Sequence, residues 1–263
     1  MDLGLKGKTA VICAASKGLG LAVAQELAAE GANVVMCARG EKALNAARDA
    51  IAKSTKAKTL AVVADVATLD GLDKIAAQAI ERFTHVDILV NHAGGPPSGP
   101  FEKHGWAEWQ SAVELTLRSS VELTRRLLPG VRERRWGRVL NITSIACKQP
   151  VDGLMLSNSL RAAVTGWART LANEVARDGV TVNNVLPGYT RTERVKELNE
   201  ATAKRESLTV EEVERRTESS IPMRRMAEPK EFAAAVAFLA SERASYITGQ
   251  SIAVDGGWIR SLL

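Results

Sequence analysis

The segment Thr9–Gly20, with the sequence TAVICAASKGLG, is the strongest indication of the fold of this chain. It begins with a short β-branched and apolar run, Thr9–Cys13, which predicts a buried strand. The segment Ser16-Lys17-Gly18-Leu19-Gly20 follows and leads directly into the helical pattern of Leu19–Ala29. Glycines at such a strand-to-helix junction let backbone N–H groups approach an anion at the helix N-terminus. The stretch therefore predicts a phosphate-binding βα unit.

The rest of the chain repeats this alternation, which is typical of a parallel sheet covered by helices on both faces. Seven strands are predicted, at Thr9–Cys13, Asn33–Cys37, Leu60–Ala64, Ile88–Asn91, Arg138–Ile142, Thr181–Leu186 and Ser251–Val254. Six helices are predicted, at Leu19–Ala29, Glu41–Lys53, Leu72–Phe83, Trp109–Leu128, Ser159–Ala176 and Pro229–Ala240. No linker or repeat interrupts them, so we predict a single doubly wound α/β domain of Rossmann type over residues 1–263.

One long segment breaks this rhythm. Residues Arg191–Ile221 form a charged insertion with helical composition. An insertion of this length inside a compact domain is usually a lid or a binding loop. We therefore predict a substrate lid at 191–221, and a solvated helical excursion is the alternative.

The composition is that of a soluble globular protein. Of the 263 residues, 46% are hydrophobic and 25% are charged, which suffices for a substantial core. No apolar run approaches the eighteen or so residues that cross a bilayer. The first residues, MDLGLKGKTAV, lack the features of a signal peptide. We expect a cytoplasmic protein with no membrane partner.

The cysteines and histidines do not predict a metal centre. They lack metal-ligand spacing, and no C-x-x-C pair is present. These residues are Cys13, Cys37, Cys147, His85, His92 and His104. We expect no bound metal and reduced cysteines.

The net charge of +5 raises the question of nucleic-acid binding. The basic residues are densest at Arg118, Arg125, Arg126, Arg132, Arg134, Arg135 and Arg138. No nucleic-acid-binding signature accompanies them, and few aromatic side chains are present to stack on bases. We interpret them as a solvated helix face or a subunit contact and predict no nucleic-acid partner.

Five ordered motifs resemble those of the short-chain dehydrogenase/reductase family, nearly from end to end. They are the glycine segment, with Cys13 and Ala14 where threonine and glycine are usual; Asp65-Val66; Asn91-His92-Ala93-Gly94; Pro187-Gly188 with Thr190 and Thr192; and Ile247–Gln250 with Val254–Gly257. The resemblance implies that the first four motifs bind a nicotinamide dinucleotide. It is nearest to the 3-oxoacyl-acyl-carrier-protein reductases and also implies a homotetramer or homodimer.

The charges beside the second strand indicate which dinucleotide is bound. A domain that prefers NAD places a carboxylate there to bond the ribose 2′-hydroxyl. This chain has Met36-Cys37-Ala38-Arg39 at that place, and Lys17 lies in the glycine loop. Two cations and no anion suit a 2′-phosphate, because a guanidinium grips phosphate through two hydrogen bonds. We predict NADP(H).

The resemblance fails at the residues that carry the family's chemistry. The family uses a serine, the pair Y-x-x-x-K and an assisting asparagine. Ser144 matches the serine, but Ser157 and Arg161 stand in place of the tyrosine and the lysine. Thr116 stands in place of the asparagine. The two tyrosines of the chain lie elsewhere, so the usual proton donor is absent.

This replacement changes the acidity of the site. A phenol has a pKa of about 10 and an alcohol one of roughly 15 to 16. The gap corresponds to about 7 kcal/mol of proton affinity, of which only part would enter the barrier. Ser144 and Ser157 are therefore predicted to polarise a carbonyl and relay a proton from water. Arg161 is predicted to bond a ribose hydroxyl.

Other residues are candidates for the missing acid. Lys148 lies on the loop after Ser144, and a partly desolvated lysine there could titrate nearer neutrality. Asp152 and His92 are weaker candidates, and Cys147 is a weak candidate nucleophile.

The sequence thus favours an NADP(H)-dependent oxidoreductase that interconverts a small-molecule carbonyl and an alcohol. A catalytically silent NADP(H)-binding sensor or regulatory subunit is the alternative. A further hypothesis is a lyase or isomerase that uses the dinucleotide as a structural element.

Overall fold

The computed structural model describes residues 2–262, so Met1 and Leu263 of the predicted domain lie outside the described residues. A seven-stranded parallel sheet has the order β3-β2-β1-β4-β5-β6-β7. The strands are β1 Thr9–Ile12, β2 Asn33–Ala38, β3 Thr59–Val63, β4 Ile88–Asn91, β5 Gly137–Ile142, β6 Val180–Pro187 and β7 Ser251–Val254. The predicted doubly wound Rossmann-type sheet is confirmed.

Nine α-helices are present within residues 2–262. They are α1 Gly18–Ala29, α2 Glu41–Ser54, α3 Leu69–Phe83, α4 Trp106–Val113, α5 Ser119–Glu133, α6 Met155–Val175, α7 Glu193–Glu206, α8 Val210–Ser220 and α9 Pro229–Ala240. None of these helices has both the length and the apolar composition that spanning a membrane requires.

Two cores lie on opposite faces of the sheet, because successive strand side chains point to opposite sides. Ile12 of β1 packs in one core with residues of α1 and α9, such as Val23 and Phe232. Its neighbour Val11 packs in the other core with residues of α3 and α5, such as Leu72 and Leu123. The alternation along a single strand thus explains why helices cover both faces.

The predicted helix Trp109–Leu128 was wrong in its bounds and continuity. A π-turn at Glu114–Arg118 separates α4 from α5, and α5 continues to Glu133 with Pro129 inside it. An extra residue in a turn shifts the apolar periodicity only slightly, so the pattern resembles one helix. Helix α6 likewise begins at Met155, four residues before the predicted start.

The charged insertion folds into helices α7 and α8. Thr192 caps α7 by accepting from the Val195 N–H at 3.4 Å. Thr209 and Glu212 form a reciprocal capping box at the start of α8. These two caps explain where each helix begins, and the role of the segment as a lid stays a prediction.

The arginines of α5 are largely paired with carboxylates. Arg126 contacts Asp73 and Glu122 at 2.6 Å each, and Arg132 contacts Asp178 at 2.6 Å. Because such pairs neutralise the basic face, the surface offers fewer free cations than the arginine count suggests.

A ladder of polar side chains connects β4, β5, β6 and β7, the four strands that follow β1 in the order of the sheet. Asn91 donates to Asn141 Oδ1 at 2.9 Å, Asn141 donates to Asn184 Oδ1 at 3.1 Å, and Asn184 donates to Ser251 Oγ at 3.1 Å. The four residues are register partners on β4, β5, β6 and β7. The ladder therefore supports the register of these four strands, at the ends of β4 and β5, the middle of β6 and the start of β7.

The substitution Asn141→Leu is expected to lower the free energy of unfolding by about 2–4 kcal/mol. It leaves the side-chain Oδ1 of Asn184 and one side-chain N–H of Asn91 buried without a hydrogen-bond partner. Each such group carries a penalty of about 1–3 kcal/mol. Denaturant unfolding measures the change. Asn173→Leu, on the exposed face of α6, is the control and should stay within about 0.5 kcal/mol. Equal effects of the two substitutions would show that the ladder is not stabilising.

Candidate functional site

The glycine loop between β1 and α1 forms one wall of the candidate site. Gly20 has no room for a side chain, since a Cβ atom there would lie 2.4 Å from the Ala14 carbonyl oxygen. Gly18 adopts a positive φ of 59°, and Ala14 adopts one of 50° although it is not glycine. The loop is thus a close-fitting turn, and Leu19 packs its side chain against the core below it.

The start of α1 is suited to an anion. Its N-cap residue, Lys17, makes no side-chain capping hydrogen bond, and no acidic residue lies in the first turn. The first N–H groups of the helix are therefore available, together with the positive end of the helix dipole. Ser16 lies half-buried just before this turn.

Two cations flank the same corner of the sheet. Lys17 and Arg39 are both exposed, and neither forms an ion pair with any residue between 2 and 262. Arg39 follows the last residue of β2 directly. Two cations without ion-pair partners in the described chain thus follow the first two strands, and their contact with a 2′-phosphate stays a prediction.

Residues after β6 form the opposite wall. A Cβ atom on Gly18 would lie 3.7 Å from Thr192 Cγ2, so the predicted glycine and threonine motifs meet. Thr190 is buried and donates to the Gly188 carbonyl oxygen at 3.3 Å. A Cβ atom on Gly188 would lie 2.6 Å from the Asp255 Cα, which explains a glycine after Pro187.

The loop after β3 carries the predicted Asp65-Val66 motif. Asp65 Oδ1 accepts from the Ala67 N–H at 2.9 Å, which shapes the turn that carries Val66. Arg118 of the π-turn donates to the Ala67 carbonyl oxygen at 2.6 Å. This arginine, which the sequence placed only in a basic cluster, links the π-turn to the Asp65–Ala67 turn.

The predicted role of Asn91 changes in the structure. Its side-chain N–H groups donate to Asn141 and to Thr124 Oγ1, at 2.9 and 3.1 Å. They are therefore committed to Asn141 on β5 and Thr124 on α5, and the side-chain amide has no free N–H for a cofactor. The following residues, Ala93 and Gly94, form the loop at the end of β4, and Gly94 has a positive φ of 69°.

Ser144 is placed to donate a proton in a hydrogen bond. It lies at the end of β5, and its Oγ accepts from the Ala146 N–H at 3.1 Å. Because that bond uses a lone pair, the hydroxyl hydrogen remains free. Ser157 lies nearly buried in the first turn of α6, and its hydroxyl makes no hydrogen bond with the residues that the structure describes.

Arg161 lies one turn after Ser157 and is buried. Its guanidinium donates to the Ile142 carbonyl oxygen at 2.7 Å and to the Gly94 carbonyl oxygen. Burial lowers the pKa of Arg161, and the positive charge of Arg194 lowers it further. The side chain predicted to replace the family's lysine thus bridges the loops after β4 and β5.

Beside Arg161 lies a cavity of about 10 Å³, close to the space that one water occupies. Among its lining residues are Thr116, His92 and Thr143. The His92 Nδ1 and Thr143 Oγ1 atoms are buried and lack hydrogen-bond partners within the described chain. Burial and the nearby Arg161 charge lower the pKa of His92 to about 3. His92 is therefore neutral at physiological pH and is not an acid there.

The remaining candidates for the acid are not favoured. Lys148 is exposed, so it lacks the desolvation on which its predicted role depended. Asp152 is exposed as well. Tyr189 packs edge-on against Trp258, and Tyr246 is fully exposed. Within residues 2–262, no group of three potential metal ligands is present.

Comparison with known proteins agrees with this geometry. The family described as enoyl-(acyl carrier protein) reductase matches residues 13–259. The chain is 34% identical to the 3-oxoacyl-[acyl-carrier-protein] reductase FabG of Vibrio cholerae, over 97% of this chain and 98% of that protein. It is 33% identical to the acetoacetyl-CoA reductase of Allochromatium vinosum, over 95% of this chain and 98% of that protein.

A solved structure shows the same fold throughout. The L-sorbose reductase of Gluconobacter frateurii, solved with NADPH and L-sorbose, superposes with a TM-score of 0.95. The two chains are 34% identical, and the alignment covers 100% of each. This chain belongs to the short-chain dehydrogenase/reductase family. The relatives that it matches are reductases, which supports an oxidoreductase. The family resemblance predicted from its motifs is confirmed.

The sequence pattern does not single out Arg194 as a residue of the site. Its side chain reaches from α7 to the Pro96 carbonyl oxygen at 3.0 Å. The only available signal was its position two residues after Thr192, which did not distinguish it from the other arginines of the insertion.

The substitution Ala14→Gly is expected to raise the free energy of unfolding by up to about 1 kcal/mol. It removes left-handed strain of about 1–2 kcal/mol, and the added freedom of glycine in the unfolded chain offsets part of that gain. Gly20→Ala is expected to lower it by about 1–3 kcal/mol, because the Ala14 carbonyl must move.

Gly166→Ala is the control for these two substitutions. This helix residue has nothing within 4 Å of its Cβ position, so alanine should be neutral or stabilising. Thermal and denaturant unfolding measure all three variants. A destabilising Ala14→Gly would show that the loop does not strain this residue.

The stability of the wild type should fall more steeply with acid than that of His92→Asn. The unfolded imidazole takes up a proton below about pH 6.5, whereas the folded one does so only near pH 3. The neutral folded form therefore loses relative stability as the pH falls between these values. Urea unfolding at several pH values measures the two slopes, and parallel slopes would contradict the buried, neutral His92.

Proposed function

We propose that the chain is an NADP(H)-dependent oxidoreductase that interconverts a carbonyl and an alcohol. One observation carries this proposal: the anion-binding turn and the free hydroxyl of Ser144 lie at the same edge of the sheet, at the ends of β1 and β5. In open α/β sheets, ligands bind outside the carboxyl ends of the strands.

The residues fit the dinucleotide on structural grounds. The uncapped start of α1 suits the pyrophosphate, since its N–H groups are free and no carboxylate opposes an anion. Lys17 and Arg39 are unpaired within the described chain and suit the 2′-phosphate. Asp65 and Val66 lie where the adenine would bind, and Pro187, Gly188, Thr190 and Thr192 lie on the nicotinamide side.

The bound dinucleotide would supply the hydride. Ser144 would donate its free hydroxyl hydrogen to the carbonyl oxygen, and Ser157 would bond the same oxygen from α6. Arg161 would hold both loops and place a fixed positive charge beside the oxygen, where negative charge develops during reduction. It would also bond a ribose hydroxyl from the same position.

The proton would come from water through the serine hydroxyls. An alcohol is a weaker acid than a phenol by about five pKa units. Stabilisation of the developing negative charge by Arg161 must therefore supply a larger share of the barrier lowering than in a site with a tyrosine. We expect a low turnover number. The helices α7 and α8 would cover the substrate.

A second function has one observation in its favour. Neither Tyr189 nor Tyr246 is followed by a lysine four residues later, and both sequence positions of the usual pair are changed. A protein that binds NADP(H) without turnover, as a sensor or regulatory subunit, needs neither residue. Assembly as a homotetramer or homodimer and a cytoplasmic location remain predictions.

Arg39→Ala should weaken NADPH binding by about ten- to hundredfold while leaving NADH binding nearly unchanged. The loss follows from removing a charge-assisted hydrogen bond to the 2′-phosphate. Titration of nicotinamide fluorescence measures both constants. Lys53→Ala, at the far end of α2, is the control and should change neither. An equal loss for both dinucleotides would contradict the assignment of Arg39.

Turnover should depend on Ser144. With NADPH and a panel of small ketones and keto acids, Ser144→Ala is expected to lower kcat by about a hundredfold or more, as loss of one donor to the developing oxyanion does. Ser54→Ala, at the end of α2, should leave kcat unchanged.

Two results would decide between the proposed functions. Tight NADPH binding with no turnover of any carbonyl would contradict the enzyme and support the sensor. Turnover that is indifferent to Ser144 would contradict the site.

A further inference from the structure

Two arginines from different elements converge on the loop that follows β4. Arg161, on α6, donates to the Gly94 carbonyl oxygen. Arg194, on α7, donates to the Pro96 carbonyl oxygen at 3.0 Å. A Cβ atom on Gly95, between these two residues, would lie 3.6 Å from the Arg194 guanidinium. The insertion thus adds a second cation beside the buried one.

The positive charge at this place is not neutralised within residues 2–262. Arg161 is buried and bonds only carbonyl oxygens, with no carboxylate partner. Arg194 has one acidic neighbour, Glu197, at 3.5 Å, and both side chains are about half exposed. An exposed pair of that geometry is strongly screened by water.

The two cations also act on each other. The charge of Arg194 lowers the pKa of Arg161, and the charge of Arg161 lowers that of His92. Like charges near a low-dielectric interior repel, and a bound anion would relieve that repulsion. Arg194 still has donors to offer, because a guanidinium carries five N–H groups and one of them bonds Pro96.

The expected phosphates of the dinucleotide have their own partners. The start of α1, Lys17 and Arg39 lie at the ends of β1 and β2, whereas Gly94–Pro96 follows β4 on the other side of β1. Arg161 contacts the Gly94 and Ile142 carbonyl oxygens, next to the place where the carbonyl would react, and Arg194 lies against Gly95 and Pro96 of the same loop.

We propose that the substrate carries an anionic group, a carboxylate or a phosphate, and that Arg194 binds it beside the reacting carbonyl. This inference rests on the proposed function and names the substrate class of the same site. Arg194 is a specificity residue: it binds the charged end of the substrate, while Ser144 contacts the carbonyl. The insertion therefore contributes the Arg194 guanidinium to the site in addition to forming the predicted lid.

Matched pairs of carbonyl compounds test this inference. Acetoacetate is compared with methyl acetoacetate, and dihydroxyacetone phosphate with dihydroxyacetone, each with NADPH and the wild-type protein. The charged member of at least one pair should have a kcat/KM about tenfold or more above the neutral one. The pair that shows the difference tells whether the group is a carboxylate or a phosphate.

Substitutions show whether Arg194 is the cause. Arg194→Gln should lower kcat/KM for the charged member by about ten- to hundredfold, mainly through KM, and change the neutral member by less than about threefold. Arg194→Lys should recover part of the loss, since it keeps the charge but not the forked geometry. Arg82→Gln, an exposed change of the same kind at the end of α3, is the control and should change neither.

Binding gives a second readout that does not depend on turnover. The charged members should bind the NADP⁺-saturated protein in calorimetry, the neutral members should bind more weakly, and Arg194→Gln should remove the difference. Equal use and equal binding of both members would overturn the inference. So would an Arg194→Gln variant whose loss appears in NADPH affinity, since the arginine would then serve the cofactor. Reduction of neutral carbonyls in either case would leave the proposed function standing.

Discussion

One buried guanidinium holds the reacting part of this molecule together. Arg161 projects from α6 and bonds the carbonyl oxygens that follow β4 and end β5, at Gly94 and Ile142. A buried cation without a carboxylate is costly, and hydrogen bonds to carbonyl dipoles offset only part of that cost. The asparagine ladder stabilises the same strand ends from within the sheet. Ser144 follows Asn141 of the ladder and Ile142 of the Arg161 contact by three and two residues, so both supports act on the strand that leads to it.

This constraint changes the character of the chemistry. A lysine in the same place could exchange protons, whereas a guanidinium keeps its charge. The site therefore favours stabilisation of negative charge over donation of a proton from an acidic side chain. Burial is the larger cause of the lowered pKa of His92, and the nearby Arg161 charge lowers it further. Arg194 adds a second positive charge beside the loop that follows β4, where it donates to the Pro96 carbonyl oxygen.

The parts predicted from the sequence are those fixed by local rules. The Ser16–Gly20 turn, the strand alternation and the cations Lys17 and Arg39 follow from glycine geometry, apolar periodicity and charge, which neighbouring residues decide. The π-turn at Glu114–Arg118 could not be predicted, since one extra residue in a turn hardly changes the pattern. The commitment of Asn91 to the sheet and the reach of Arg194 to Pro96 depend on residues far away in the chain. Motif spacing gives the position of such residues but not the direction of their side chains.

Hydride transfer in a site without the family's tyrosine and lysine can be followed with NADPH that carries deuterium at the transferable position. Mass analysis of the alcohol formed from the reducible members of the carbonyl panel shows where the label goes. We expect deuterium on the former carbonyl carbon with the wild type and much slower labelling with Ser144→Ala. Bound NADPH that never passes its label to any carbonyl would show that this site does not transfer a hydride.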